Sequence, residues 1–142
     1  MPVEKVIYKT SATSTGGRTG ESKLDDGTMQ VTLTTPKEMG GAGGAGTNPE
    51  QLFAMGYSAC FLGALKAVGR MQKIAVPEDT TVQATIGFGQ RTEGGYGITA
   101  DLAINIPGMD KAAAEKLVEA AHQVCPYSNA TRNNVNVGLT IV

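Results

Sequence analysis

A nearly unbroken apolar stretch from Leu52 to Leu65, only 14 residues long, limits what this chain can fold into. A helix that crosses a bilayer needs about 20 such residues, so the stretch is predicted to be a buried core helix with no membrane span. Its start is marked three times over. Asn48 can cap, Pro49 suits the first helical position, and Gln51 is placed to close a capping box. Apolar residues occupy nearly every face, so the helix must be surrounded rather than laid on a surface. A chain of 142 residues has little material for that, and a partner subunit is expected to supply the missing cover.

Around this helix the pattern is mostly β. Residues Val3–Thr13 and Gln30–Thr35 read as strands, with a turn at Asp25-Asp26-Gly27. Thr81–Arg91 and Tyr96–Ile106 alternate and are joined by Thr92-Glu93-Gly94-Gly95, the pattern of a hairpin. Asp110 is set to cap a second helix, whose Ala113, Ala114, Leu117, Val118, Ala121 and Val124 form one apolar stripe. Pro126 should end that helix, and Asn134–Val142 closes the chain as a strand. The order predicts an α+β fold with mainly antiparallel sheet, built as one domain over residues 1–142. Apolar residues make up 41% of the chain and Trp is absent, so the core is assembled from Ala, Val, Leu, Ile and Met.

Charge narrows the function classes. A net charge of −1 gives no electrostatic footprint for nucleic acid or an anionic membrane. The first residues, Met-Pro-Val-Glu-Lys-Val-Ile-Tyr-Lys, carry charges where a signal peptide needs an apolar core, which makes the cytoplasm the expected location. Gly41, Gly43 and Gly46 spell G-x-G-x-x-G. A dinucleotide fold would also need an acidic residue about 20 positions on, and none occurs between Glu50 and Glu78. No Gly-Lys-Ser/Thr follows either, so the segment reads as a flexible glycine loop.

The chemistry rests on two cysteines, Cys60 and Cys125. Two thiols in a chain without a secretory signal suggest redox chemistry more than a structural staple. Cys60 lies in the apolar helix, where burial raises a thiol above its free value of about 8.5, so it reacts only if a cation is delivered to it. Arg18, in Thr15-Gly16-Gly17-Arg18-Thr19-Gly20, is the candidate, because its flanking glycines let the backbone turn it inward. A buried guanidinium needs a carboxylate, and Glu50 in the first turn of the core helix is the candidate partner. Ten helical residues span about 15 Å, so Glu50 cannot meet the Cys60 of its own helix, and a shared site needs a second subunit. Cys125 stands at a helix C-terminus, where the dipole disfavours negative charge, and better suits a second thiol than an attacking one.

Three blocks carry a family resemblance: Thr10 to Arg18, Gly40 to Lys66, and Cys125-Pro126-Tyr127-Ser128-Asn129-Ala130-Thr131-Arg132. The chain resembles the organic hydroperoxide resistance (Ohr) family of the OsmC-like superfamily over essentially its whole length. That resemblance implies an intertwined α+β homodimer, with sheets wrapped around central helices and two sites at the subunit interface. It implies a thiol-dependent peroxidase for alkyl and fatty-acid hydroperoxides, with no bound cofactor or metal, recycled by dihydrolipoamide or a lipoylated protein. Cys60 then matches the peroxidatic cysteine, Cys125 the resolving one with which it forms a disulfide, Arg18 the activating arginine and Glu50 its carboxylate. An apolar pocket of Phe53, Met55, Phe61 and Leu62 would favour alkyl peroxides.

Two other classes compete. A cysteine hydrolase would pair Cys60 with His122 as base and need no second thiol. A redox sensor would oxidise stoichiometrically without turnover. His122 reads otherwise as a solvated helix residue, since one His and two Cys make a poor zinc set. Tyr127 and Ser128 either shape the site near Cys125 or form the turn after Pro126.

Overall fold

The computed structural model describes residues 2–142, which fall into two compact units, Met1–Leu52 and Phe53–Val142. In the first unit β1 (Ala12–Thr15), β2 (Glu21–Leu24) and β3 (Gln30–Thr32) form an antiparallel meander in that order. The turn between β2 and β3 falls at the expected Asp25-Asp26-Gly27, where Asp26 Oδ1 accepts from the Thr28 backbone N–H at 2.9 Å. The glycine loop returns the chain to this sheet: Leu33 and Thr47 form a parallel bridge, with Thr47 N–H bonded to Thr32 O at 2.8 Å.

The strand expected over Val3–Thr13 is not formed as such. Only Ala12 and Thr13 lie in β1, whose pairing with β2 runs from Ala12↔Leu24 to Thr15↔Glu21. Upstream of Ser11 the partner strand has already turned away, so residues 2–11 find no ladder among the described residues. They leave Val3, Val6, Ile7 and Tyr8 exposed.

The second unit contains most of α1 (Pro49–Gln72), β4 (Thr81–Gln90), β5 (Tyr96–Asn105), α2 (Lys111–Val124), α3 (Pro126–Thr131) and β6 (Val137–Ile141). β4 and β5 form the expected hairpin, while β6 pairs parallel to β5, Ala100↔Val137 through Ile104↔Ile141. The helices between β5 and β6 carry the chain back to the same end of the sheet, as a parallel connection requires. Period-2 alternation in β5 sends Ala100, Leu102 and Ile104 into the core, where they meet Tyr57, Phe61, Leu65 and Val68 of α1 and Ala114, Leu117, Val118 and Ala121 of α2. Ala113 and Val124, expected on the α2 stripe, are exposed instead. The fold is α+β, mainly antiparallel, with a core helix.

α1 is longer than its apolar stretch. It runs 24 residues, because Lys66, Arg70 and Gln72 are good helix formers that extend it past Leu65. By length and composition alone it could span a bilayer, so the length argument against a span does not hold. Its buried face against the sheet is that of a core helix. Asn48 caps it as expected, accepting from Gln51 N–H at 2.8 Å. The capping box does not close: Gln51 Oε1 takes its hydrogen bond from Thr47 Oγ1 at 3.0 Å.

Pro126 ends α2 as expected, but it also starts α3, which the sequence reading missed. Cys125 serves both helices. Its N–H bonds Ala121 O at 2.9 Å, and its carbonyl accepts from Asn129 N–H at 2.9 Å. Pro126 has no N–H, so the carbonyl of His122 four residues earlier loses its helical donor. Arg132 replaces it, donating to His122 O at 2.6 Å while its other nitrogen donates to Asn129 Oδ1 at 2.6 Å. Arg132→Ala should therefore cost about 1–2 kcal/mol of unfolding free energy, measured by urea denaturation, because it strands that carbonyl.

Candidate active site

Within the first unit the sequence-predicted pair Arg18 and Glu50 is brought together. Arg18 sits in a tight 3-10 turn, Gly17–Thr19, entered through Gly16 and Gly17 at φ 72° and 58°, angles that favour glycine. The guanidinium grips Glu50 in bidentate fashion, Nη1 to Oε2 at 2.8 Å and Nη2 to Oε1 at 2.7 Å. Thr35 Oγ1 braces the turn by donating to the Arg18 carbonyl at 3.4 Å. The Arg18 hydrogen bonds hold the Glu50 carboxyl below its ordinary range, against the upward push of burial. Arg18 is raised in turn, chiefly by Glu50. Glu50 also lies in the first turn of α1, where the helix dipole favours a negative charge.

Within the second unit Cys60 and Cys125 meet. Both are free thiols, and their sulfurs lie 3.8 Å apart. A bond of about 2.05 Å needs a further approach of ~1.8 Å. Burial pushes the Cys60 thiol up. The backbone N–H of Tyr127 pulls it partly down, and the neighbouring Cys125 sulfur adds to the rise. That amide belongs to the first turn of α3, where helical N–H groups have no partner within the helix. Cys125 is fully buried, at the meeting of two helix ends of opposite polarity. The negative end of α2 is thus met by the positive end of α3 at the same residue.

Three aromatic rings gather on the helices that carry these thiols. Phe53, Tyr57 and Tyr127 form a triangle with centroid separations of 5.8, 5.7 and 5.7 Å. Phe53 and Tyr57 stand seven and three residues before Cys60, the spacing that shares its helix face. Gly56 makes room for the third ring: a β-carbon there would come within 2.8 Å of the Tyr127 hydroxyl. Of the residues expected to line an apolar pocket, Phe53 and Leu62 are half-buried against the core. Phe61 is fully buried in the core itself, and Met55 is 54% exposed. Tyr57 was missed as a ring partner, although helical spacing from Cys60 signalled it; Tyr127, expected either to shape the site near Cys125 or to form the turn, joins the rings from the first turn of α3.

His122 is committed elsewhere. Its Nδ1 lies 2.8 Å from Ser128 Oγ, and among the described residues no hydrogen bond joins it to either thiol. Burial first, and Arg132 second, lower its pKa, against a small opposing pull from Glu119. The Cys60–His122 pairing of a hydrolase is thus not formed. Among the described residues, no three His, Cys, Asp or Glu side chains gather as a metal set.

The chain is similar to known proteins over nearly its whole length. The sequence profile described as OsmC-like protein matches residues 40–140. An organic hydroperoxide resistance protein of Xanthomonas axonopodis pv. citri (strain 306) is 54% identical over 138 residues, covering 97% of this chain and 96% of that protein. The crystal structure of an organic hydroperoxide resistance protein from Elizabethkingia anophelis is similar with a TM-score of 0.91 and 50% identity, over 96% of this chain and 97% of that one. That of the organic hydroperoxide resistance protein OhrB of Bacillus subtilis gives 0.88 and 40%, over 96% and 100%.

Proposed function

The chain belongs to the OsmC-like family, among its organic hydroperoxide resistance proteins, and from that premise we propose that it is a cysteine peroxidase that reduces organic hydroperoxides to alcohols. The observation that carries this reading is the pair of free thiols 3.8 Å apart, with aromatic rings on the helices that carry them. The Cys60 thiolate attacks the distal oxygen of ROOH. The O–O bond breaks, the alkoxide takes a proton and leaves as ROH, and Cys60 becomes a sulfenic acid. Cys125 attacks that sulfur, water leaves, and a Cys60–Cys125 disulfide forms. A dithiol then reopens it by two exchange steps, giving up two electrons and closing its own disulfide. The dithiol is that of dihydrolipoamide or a lipoylated protein, and the cytoplasm is the compartment in which such a cycle stays reduced.

Arg18, fixed by Glu50, supplies the positive charge that Cys60 needs, and it stabilises the departing alkoxide. Because Glu50 lies about 15 Å along α1 from Cys60, the Arg18–Glu50 pair serves the thiol of a second copy, giving a homodimer with two interfacial sites. Two exposed features support such a partner: the unpaired segment before Ser11 with Val3, Val6, Ile7 and Tyr8, and the Met55, Ala59 and Gly63 edge of the apolar helix. Substrate tails pack on Phe53 and Tyr127, at about 25 cal/mol for each Å² of apolar surface removed from water.

The test is steady-state consumption of cumene hydroperoxide with dihydrolipoamide as reductant. Sustained turnover is expected. Oxidation of one equivalent per chain and no more would instead mark a redox sensor.

A further inference from the structure

The six residues of α3 carry Tyr127 and begin at Cys125, yet a helix of one and a half turns has no stability of its own. Side-chain bonds must hold it in place. Ser128 is fully buried at its centre and bonds to both neighbouring helices. Its Oγ lies 2.9 Å from the Tyr57 hydroxyl on α1 and 2.8 Å from His122 Nδ1 on α2. Tyr57 is one turn before Cys60, and Ser128 follows Tyr127 directly.

Counting protons fixes the direction of these bonds. Thr131 Oγ1 donates to the Ser128 carbonyl at 3.1 Å, so its hydrogen is spent. The Tyr57 hydroxyl therefore donates to Thr131 Oγ1 at 3.2 Å and accepts from Ser128 Oγ at 2.9 Å. With its own hydrogen given to Tyr57, Ser128 Oγ accepts from His122 Nδ1–H at 2.8 Å. Burial and Arg132 lower the pKa of this imidazole, with Glu119 the opposing charge. Every hydroxyl is satisfied, and Ser128 is the one group in the set that touches both Tyr57 and His122.

We propose that Ser128 is a positioning residue for the thiol pair: bonded to Tyr57 and His122, it clamps α3 between α1 and α2 and so holds the Tyr127 N–H and the Cys125 sulfur on Cys60. This deepens the peroxidase reading and rests on it for its biological meaning, but the geometry concerns Cys60 itself and is testable without peroxide. Replacing Ser128 frees α3 to drift. The Tyr127 amide then moves off Cys60, which is left to ionise with less help. The same drift lengthens the path Cys125 must travel to form the disulfide.

The experiment is the pH dependence of Cys60 alkylation by iodoacetamide, read in a Cys125→Ser background so that one thiol reports. Ser128→Ala should raise the midpoint by roughly 0.5–1 pH unit, the size of one weakened hydrogen bond to a thiolate. Ser128→Thr, which keeps the hydroxyl, should restore the parent midpoint. If Ser128→Ala does not fold, Tyr57→Phe carries the same expectation of a raised midpoint. A folded Ser128→Ala or Tyr57→Phe with a lowered melting temperature but an unmoved midpoint overturns the proposal, since a merely structural bond does that. A raised midpoint in a protein that shows no hydroperoxide turnover would leave the clamp standing and remove the peroxidase reading alone.

Discussion

Cys60→Ser should reduce hydroperoxide consumption to the uncatalysed background, a loss of at least about four orders of magnitude, the scale on which removing a nucleophile acts. A serine hydroxyl at this position has a far higher pKa than a thiol, and His122, the base a hydrolase would use, is bonded to Ser128 instead. Oxygen also cannot form the sulfenic acid through which the cycle runs. Cys125→Ser should behave differently. It keeps the attacking sulfur and so consumes one equivalent of hydroperoxide in a single burst. Dithiol-supported turnover then fails because no disulfide forms. Stopped-flow decay of cumene hydroperoxide, with mass spectrometry of the Cys60 peptide, separates the two. A burst of equal size in both variants would remove Cys60 from the role of nucleophile.

The burst depends on a contact that the sequence could not display. Cys60 and Cys125 are 65 residues apart, and only the packing of α2 and α3 against α1 places their sulfurs together. What was legible was local. The Asn48 cap, the β4–β5 hairpin signal and the Asp110 cap each depend on residues within a few positions of one another, and each formed. Elements that depend on a partner were misjudged. Residues 3–11 hold enough of the β-formers Val, Ile, Tyr and Thr to read as a strand, but composition records a preference, and a ladder also needs a neighbour. α3 was overlooked because Cys125-Pro126 was read only as a stop, although proline at the first helical position is equally a start. Arg132 illustrates the same limit, since its role appears only once the missing N–H of Pro126 is counted against the carbonyl of His122.

The Arg18–Glu50 pair was legible for a chemical reason: an arginine between glycines has little else to do than turn inward, and it then needs a carboxylate. Its bidentate geometry leads to the second large effect. Arg18→Ala should slow the attack on peroxide by about 10²–10³-fold, because in the proposed cycle it removes both the charge that favours the Cys60 thiolate and a donor to the departing oxygen. Arg18→Lys should recover little of this, since an ammonium cannot reproduce the two-point grip on Glu50. The pair itself titrates only in acid. With its folded pKa lowered, Glu50 contributes stability that is present above its ordinary value of about 4.5 and is lost as pH falls through the folded value. Between pH 6 and 9 the ion pair is therefore constant, and a rate that rises with pH there reports Cys60. Mixing variants tests which chain supplies which residue. Arg18→Ala and Cys60→Ser are each expected to be inactive alone. Refolded together in equal amounts, half of the dimers are mixed, and each mixed dimer joins the intact Cys60 of one chain to the intact Arg18 of the other in one of its two sites. About one quarter of the parent activity should return. No recovery in demonstrably mixed dimers would place Arg18 and Cys60 of one site in the same chain and end the shared-site reading.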